Sequence, residues 1–95
     1  MGLNFCHKRI GRYLKDKRLE TGLTQAQVST SLGLASPQFI SNIERGLCSP
    51  PLYILAKMVK LYDLSPNELI MLIMGEQEKY LRKHLGKGPP KGPKK

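Results

Sequence analysis

Gln38 and Asn42 stand four residues apart in the stretch Ser36-Pro37-Gln38-Phe39-Ile40-Ser41-Asn42-Ile43-Glu44-Arg45. At about 100° per residue, one helical turn places them on one side with Ser41 and Arg45, while Ile40 and Ile43 point to the other. A carboxamide presents a donor beside an acceptor, so each amide can pair bidentately with N6 and N7 of adenine. Their spacing suits neighbouring base pairs. The bland alternative, a solvated helix face, needs no particular residue types. Other chemistries find little support. No nucleophile stands beside a base, no Gly-rich loop cradles phosphate, and His7 and His84 are isolated near the ends, so an enzyme is not expected. Cys6 and Cys48 lack CxxC spacing and are expected to be ordinary thiols, with no metal and no cofactor.

Those side chains need a scaffold, and the helix punctuation supplies one. A first helix is expected from about Cys6 to Thr21, with Ile10 and Leu14 inward and Gly22 as its stop. Thr24 is an N-cap, and Gln27 completes a capping-box pattern for a second helix whose inner face is Val28 and Leu32. Gly33 ends it. Ser36 then caps a third helix with Pro37 in its first position, running to Arg45 and stopped by Gly46. A fourth begins near Pro51, with Leu52, Leu55, Met58 or Val59, and Tyr62 along one apolar stripe. Ser65-Pro66-Asn67-Glu68 opens a fifth, which either stops at Gly75 or continues through Glu76 to Leu85. The expected class is all-α, a compact five-helix domain over 1–75, with a helical extension over 76–85. Residues 86–95, only Gly, Pro and Lys, are expected to be a disordered basic tail.

With 95 residues the chain has room for one domain, and its 40% apolar content with 6% aromatics suits packed helices. The longest apolar run, Leu69 to Met74, falls far short of the roughly 20 residues that cross a bilayer. The first residues carry no apolar stretch of secretory length, so the expected location is the cytoplasm, bound to the nucleoid through DNA. The net charge of +9 points to a polyanionic partner. Its placement is uneven: +4 in residues 1–24, zero in 25–75 and +5 in 76–95. Bulk electrostatics therefore do not account for the neutral middle.

Taken together, the stretch from Ile10 to Leu69 resembles the phage-repressor/Cro-type helix-turn-helix family, also called XRE-type regulators. The matching pieces are Arg18-Leu19-Glu20-Thr21-Gly22-Leu23-Thr24-Gln25-Ala26-Gln27-Val28, Leu32-Gly33, Ile40-Ser41-Asn42-Ile43-Glu44-Arg45-Gly46, Pro50 and Leu64-Ser65-Pro66-Asn67-Glu68-Leu69. The resemblance implies a lambda-repressor-like five-helix fold and binding to double-stranded DNA through the third helix. It implies that Gln25 bonds a DNA phosphate, that Pro37, Gln38 and Asn42 face base edges, and that Ser41 and Arg45 touch the backbone, with Ser36 at the helix entry in the same DNA-binding set. Arg18 and Glu44 would form an internal salt bridge. One departure is a residue more between Gly33 and Gly46 than the commonest form of the pattern has, placed here in the turn at Leu34-Ala35 so that Ser36 keeps its cap.

The expected function is sequence-specific transcriptional regulation from a palindromic operator, as a homodimer. The rival is an antitoxin-like protein-interaction module in which residues 69–85 hold a partner protein. The Leu69–Met74 run bears on both, because it is wider than the single apolar stripe a surface helix needs.

Overall fold

The computed structural model describes residues 7–86, which form five helices: α1 (His7–Thr21), α2 (Gln25–Ser31), α3 (Gln38–Glu44), α4 (Leu52–Leu61) and α5 (Pro66–Leu85). Cys6, expected as a free thiol, and positions 87–95, expected as a disordered tail, lie outside the described residues.

Local chemistry sets most of the boundaries. Thr24 and Gln27 form both bonds of the capping box: the Gln27 N–H donates to Thr24 Oγ1 at 3.0 Å, and the Thr24 N–H donates to Gln27 Oε1 at 2.9 Å. Three helices then end alike. Past α2 the Leu34 N–H reaches back to the Ser29 carbonyl at 2.9 Å, and past α3 Leu47 reaches Asn42 at 2.9 Å. Past α4 Leu64 reaches Val59 at 2.9 Å. Each closure needs a left-handed residue one position earlier. Gly33 (φ 77°) and Gly46 (φ 80°) supply it without cost, whereas Asp63 does so at φ 56° as the one non-glycine in that region among the described residues. At the start of α5 the Ser65 hydroxyl accepts from the Glu68 N–H at 3.2 Å. The helix then passes Gly75 without a break and runs 20 residues to Leu85.

Two expectations change in detail. The third helix is shorter than 36–45: it spans Gln38–Glu44, with Pro37 (φ −76°, ψ −3°) already helical and Ser36 Oγ accepting a long 3.4 Å bond from the Gln38 N–H. The first helical bond runs from the Ser41 N–H to the Pro37 carbonyl at 3.0 Å, so Pro37 stands as the cap and the regular turns begin at Gln38. In α4, Leu52 is 81% exposed and Ile54 takes the inward place. The stripe runs through Ile54, Met58 and Tyr62 at intervals of four, with Leu55 beside it, and Leu52 stands outside on the first turn.

The core gathers Ile10 and Leu14 of α1, Val28 of α2, Ile40 and Ile43 of α3, Ile54 and Met58 of α4, and Leu69 of α5. α3 lies across α1 at very short range. A Cβ on the buried Gly11 would sit 2.3 Å from the Ile43 carbonyl oxygen and 2.8 Å from that of Glu44. One turn earlier, the Lys8 backbone closes on Gly46, where a Cβ would fall 2.7 Å from Lys8 Cα. The longer α2–α3 turn has its own clamp: the buried Ser29 hydroxyl donates to the Ser36 carbonyl at 2.7 Å. Among the described residues, no helix is long and apolar enough to cross a membrane.

Candidate nucleic-acid interface

A seven-residue helix is too short to be stable alone, so the orientation of α3 is fixed by what its inner face touches. Ile40 and Ile43 are fully buried, and Phe39 packs half-buried against the same core. Glu44, on that inner side, is buried as well and forms the principal polar bond between α3 and α1. Arg18 Nε donates to Glu44 Oε2 at 2.6 Å and Arg18 Nη2 to Oε1 at 3.0 Å, a bidentate pair with side chains 8% and 2% exposed. The Glu44 hydrogen bonds raise the pKa of the Arg18 guanidinium above its ordinary value. Arg18 Nη1 donates at 2.8 Å to the Leu23 carbonyl, which ties the α1–α2 turn to the same pair.

Gln25 joins this network from the first position of α2, donating Nε2 to Glu44 Oε1 at 2.9 Å. The family resemblance implies a side chain turned outward to a phosphate. In the structure one amide proton is committed inward, which leaves the second N–H and the carbonyl. The reason is that the carboxylate has four lone-pair sites and Arg18 occupies two of them. A donor from outside the pair takes a third.

Tyr62 lies close enough to this pair for both charges to act on it. Its hydroxyl is buried with no hydrogen-bond partner. Burial, with the Glu44 charge adding and Arg18 opposing, pushes its pKa up to about 12. The folded state therefore holds this proton more tightly than the unfolded chain, whose tyrosine releases it near pH 10. The resulting stability, about 2–3 kcal/mol, is whole below pH 10 and is lost between pH 10 and 12. Tyr62→Phe is expected to stabilise the fold by about 1 kcal/mol at neutral pH, because an unpaired hydroxyl leaves the core. The advantage should widen as the pH rises from 10 to 12. Chemical denaturation of both proteins at pH 8 and pH 11 checks this, and a gap that stays constant or narrows would refute it.

The opposite face of α3 is open and internally ordered. Gln38 Nε2 donates to Asn42 Oδ1 at 2.9 Å, and Arg45 Nη2 donates to the same oxygen at 3.0 Å. Gln38 and Arg45 are exposed, while Asn42 and Ser41 are half-buried. The acceptor of Asn42 is thus spent within the helix, and its Nδ2 donors point away from the pairings. Gln38 keeps its Oε1 acceptor and one N–H, the two groups a bidentate pairing with adenine requires. Ser36 and Pro37 are exposed at the entry to the helix, beside the α2 N-terminus: Pro37 shares a shallow groove with Thr24, Gln25 and Ala26. So the fold brings Gln25, Pro37, Gln38, Asn42 and Arg45 to one side of the α2–α3 pair, and turns Arg18 and Glu44 beneath it.

Sequence reasoning misses two participants: Gly11, which permits the close approach, and Ser29, which clamps the turn. Ser29 carries a faint signal, as a small polar residue next to Val28 on the inner face; Gly11 carries none. Tyr62 is expected on the inner stripe of α4, but its place beside the ion pair is not. Among the described residues no three His, Cys, Asp or Glu side chains group as metal ligands would. Cys48 is free and half-buried, and burial raises its thiol pKa.

Comparison with known proteins agrees with this geometry. Residues 9–70 match the family pattern described as a helix-turn-helix domain. The chain is 36% identical over 64 residues to the ImmF control region 10 kDa protein of Bacillus phage phi105, covering 67% of this chain and 70% of that one. Among solved structures it is similar to the restriction-modification controller protein C.AhdI from Aeromonas hydrophila, with a TM-score of 0.60 and 27% identity, covering 66% of this chain and 90% of that one. It also shares the fold of the clp gene regulator ClgR from C. glutamicum, with a TM-score of 0.63 at 20% identity over 79% of this chain and 95% of the other. The two solved structures are all-α, as this chain is. The chain belongs to the phage-repressor/Cro-type helix-turn-helix family of DNA-binding regulators, which are not enzymes.

Proposed function

We propose that this protein is a sequence-specific transcription regulator that lays α3 in the major groove and binds an inverted-repeat operator as a homodimer. The observation that carries the reading is the ordered amide and guanidinium row on the open face of α3, Gln38–Asn42–Arg45. Side chains already held in place give up less freedom on binding, so more of the pairing energy appears as affinity and discrimination. Gln38 and Asn42 address base edges, with Pro37 beside them. Arg45 and Ser41 reach the sugar-phosphate backbone, and Gln25 offers its remaining amide proton to a phosphate at the start of α2.

A second copy is favoured by α5. Ile70, Met71 and Met74 are 51%, 74% and 63% exposed on neighbouring turns, an apolar surface that a partner subunit would cover. Two copies related by a two-fold axis present two recognition helices, and the operator they read has the same symmetry. The names of the relatives, a control-region protein, a controller protein and a gene regulator, support the same role.

Selection from random-sequence duplexes tests the whole reading. The wild type is expected to enrich an inverted repeat. Gln38→Ala should relax preference at one position per half-site, by about 1–3 kcal/mol against the wrong base, and Asn42→Ala should relax its own position and that of Gln38, which it holds in place. Recovery of no enriched sequence would end the proposal, and enrichment of a single unrepeated site would end its dimeric part.

A further inference from the structure

Among the described residues, part of the basic charge of the two flanks is brought together by the fold. α1 and α5 run side by side in opposite directions: Tyr13 bonds Glu68 at 2.8 Å near one end, and Arg9 pairs with Glu76 at 3.2 Å near the other. Lys8, Arg9 and Arg12, from the first basic flank, thereby face Lys79 and Lys83, from the second, across an open groove of about 720 Å³. Glu76 is the one acid among its lining residues, and it is already neutralised. Its side chain is 5% exposed, and its Oε2 accepts from Lys79 Nζ at 3.2 Å and forms an ion pair with Arg9 Nε at 3.2 Å. Lys8, Arg12 and Lys83 are exposed and make no ion pair with any described residue. The rings of Tyr80 and His84, with centroids 4.2 Å apart, line the same groove.

Three unpaired cations held around one hollow repel one another, and surface charge kept only for solubility has no reason to converge. A multiply charged anion relieves that repulsion, and the volume is of the size that holds ligands. We propose that this groove is a phosphate-binding site separate from the recognition helix. Its ligand is a run of phosphate groups, supplied either by DNA backbone beyond the segment held by α3 or by a soluble polyphosphate. Lys8, Arg12 and Lys83 bind the anion, and Arg9 and Lys79 are kept in position by Glu76. The site borders the reading helix, since the Lys8 backbone packs on Gly46 directly after α3.

The test uses the full chain and the variant Lys8→Gln/Arg12→Gln/Lys83→Gln, whose three sites are exposed and leave the Glu76 pairs intact. Thermal unfolding by circular dichroism first verifies that the variant is folded. In one arm, affinity for a random-sequence duplex is measured against salt concentration. If DNA is the source, the slope falls by ~0.9 for each phosphate that is no longer neutralised, with base preference in the selection unchanged. In the other arm, inorganic pyrophosphate is titrated while backbone amide resonances are followed. If the source is soluble, residues 8–12 and 79–84 shift in the wild type, and the variant binds about tenfold or more weakly. Either result supports the site and names its source. An unchanged salt slope together with no pyrophosphate binding, or with equal binding by the variant, overturns it. The first arm rests on the DNA-binding reading and the second does not. A wild type that binds no duplex but does bind pyrophosphate would therefore sink that reading and leave the groove standing.

Discussion

Gly11→Ala is expected to destabilise the domain by about 3 kcal/mol or more, although it adds one methyl group and suits a helix interior better than glycine does. On propensity alone the change should help, by up to about 1 kcal/mol. The new carbon would instead meet the carbonyl oxygens of Ile43 and Glu44 at 2.3 and 2.8 Å. Both obstacles are backbone atoms in the last turn of α3, so no side chain can rotate out of the way. α3 must lift from α1 as a unit, which loosens Ile40, Ile43 and the Arg18–Glu44 pair together. Overpacking a core typically costs about 1–3 kcal/mol, and a clash with backbone belongs at the upper end. Domains of this size hold only about 5 kcal/mol or somewhat more in reserve. Thermal denaturation of Gly11→Ala decides the matter, and a melting temperature at or above that of the wild type would show that the two helices are not so tightly apposed.

The second large effect concerns Glu44→Gln. The substitution keeps the shape but removes the charge, stranding a guanidinium that is 8% exposed. Breaking one side of a buried pair costs about 3–5 kcal/mol, chiefly because the remaining charge is left uncompensated. For a domain of this length that corresponds to a fall of roughly 12 °C or more in melting temperature. Arg18→Met should cost a similar amount, since Glu44 and the Leu23 carbonyl both lose donors. The double variant Arg18→Met/Glu44→Gln, which leaves no charge behind, should lose much less than the two single variants combined. Equilibrium unfolding of all three measures the coupling, and strictly additive effects would mean that the pair is not acting as one.

Local signals make the outline of this fold legible. Thr24 with Gln27, and Ser65 with Glu68, cap their helices with partners three residues away, so the bonds are visible in the order of the residues themselves. Gly22, Gly33 and Gly46 mark stops for the same reason: each solves a problem within one turn of itself. What stays hidden depends on elements that meet only after folding. Nothing near Gly11 announces that α3 will cross there. Gln25 sits 19 residues from Glu44, and its inward bond follows from the packing of α2 against α3. Leu52 and Ile54 both fit an apolar period, and only the angle at which α4 docks chooses between them. The two basic flanks look equally separate until α1 and α5 lie antiparallel. The amides of α3 are readable as a row, but their sharing of a single acceptor is not.

That shared acceptor bears on how the binding preference of such a protein could evolve. Gln38 and Arg45 are both steered by one oxygen of Asn42. A substitution at Asn42 would release its neighbours together with itself, so one codon change would disturb both base readers and the Arg45 backbone contact at once. Changes at Gln38 or Arg45 would leave the other two in register. Under the proposed function, new operator preferences are therefore more accessible through Gln38, with Asn42 the last to change.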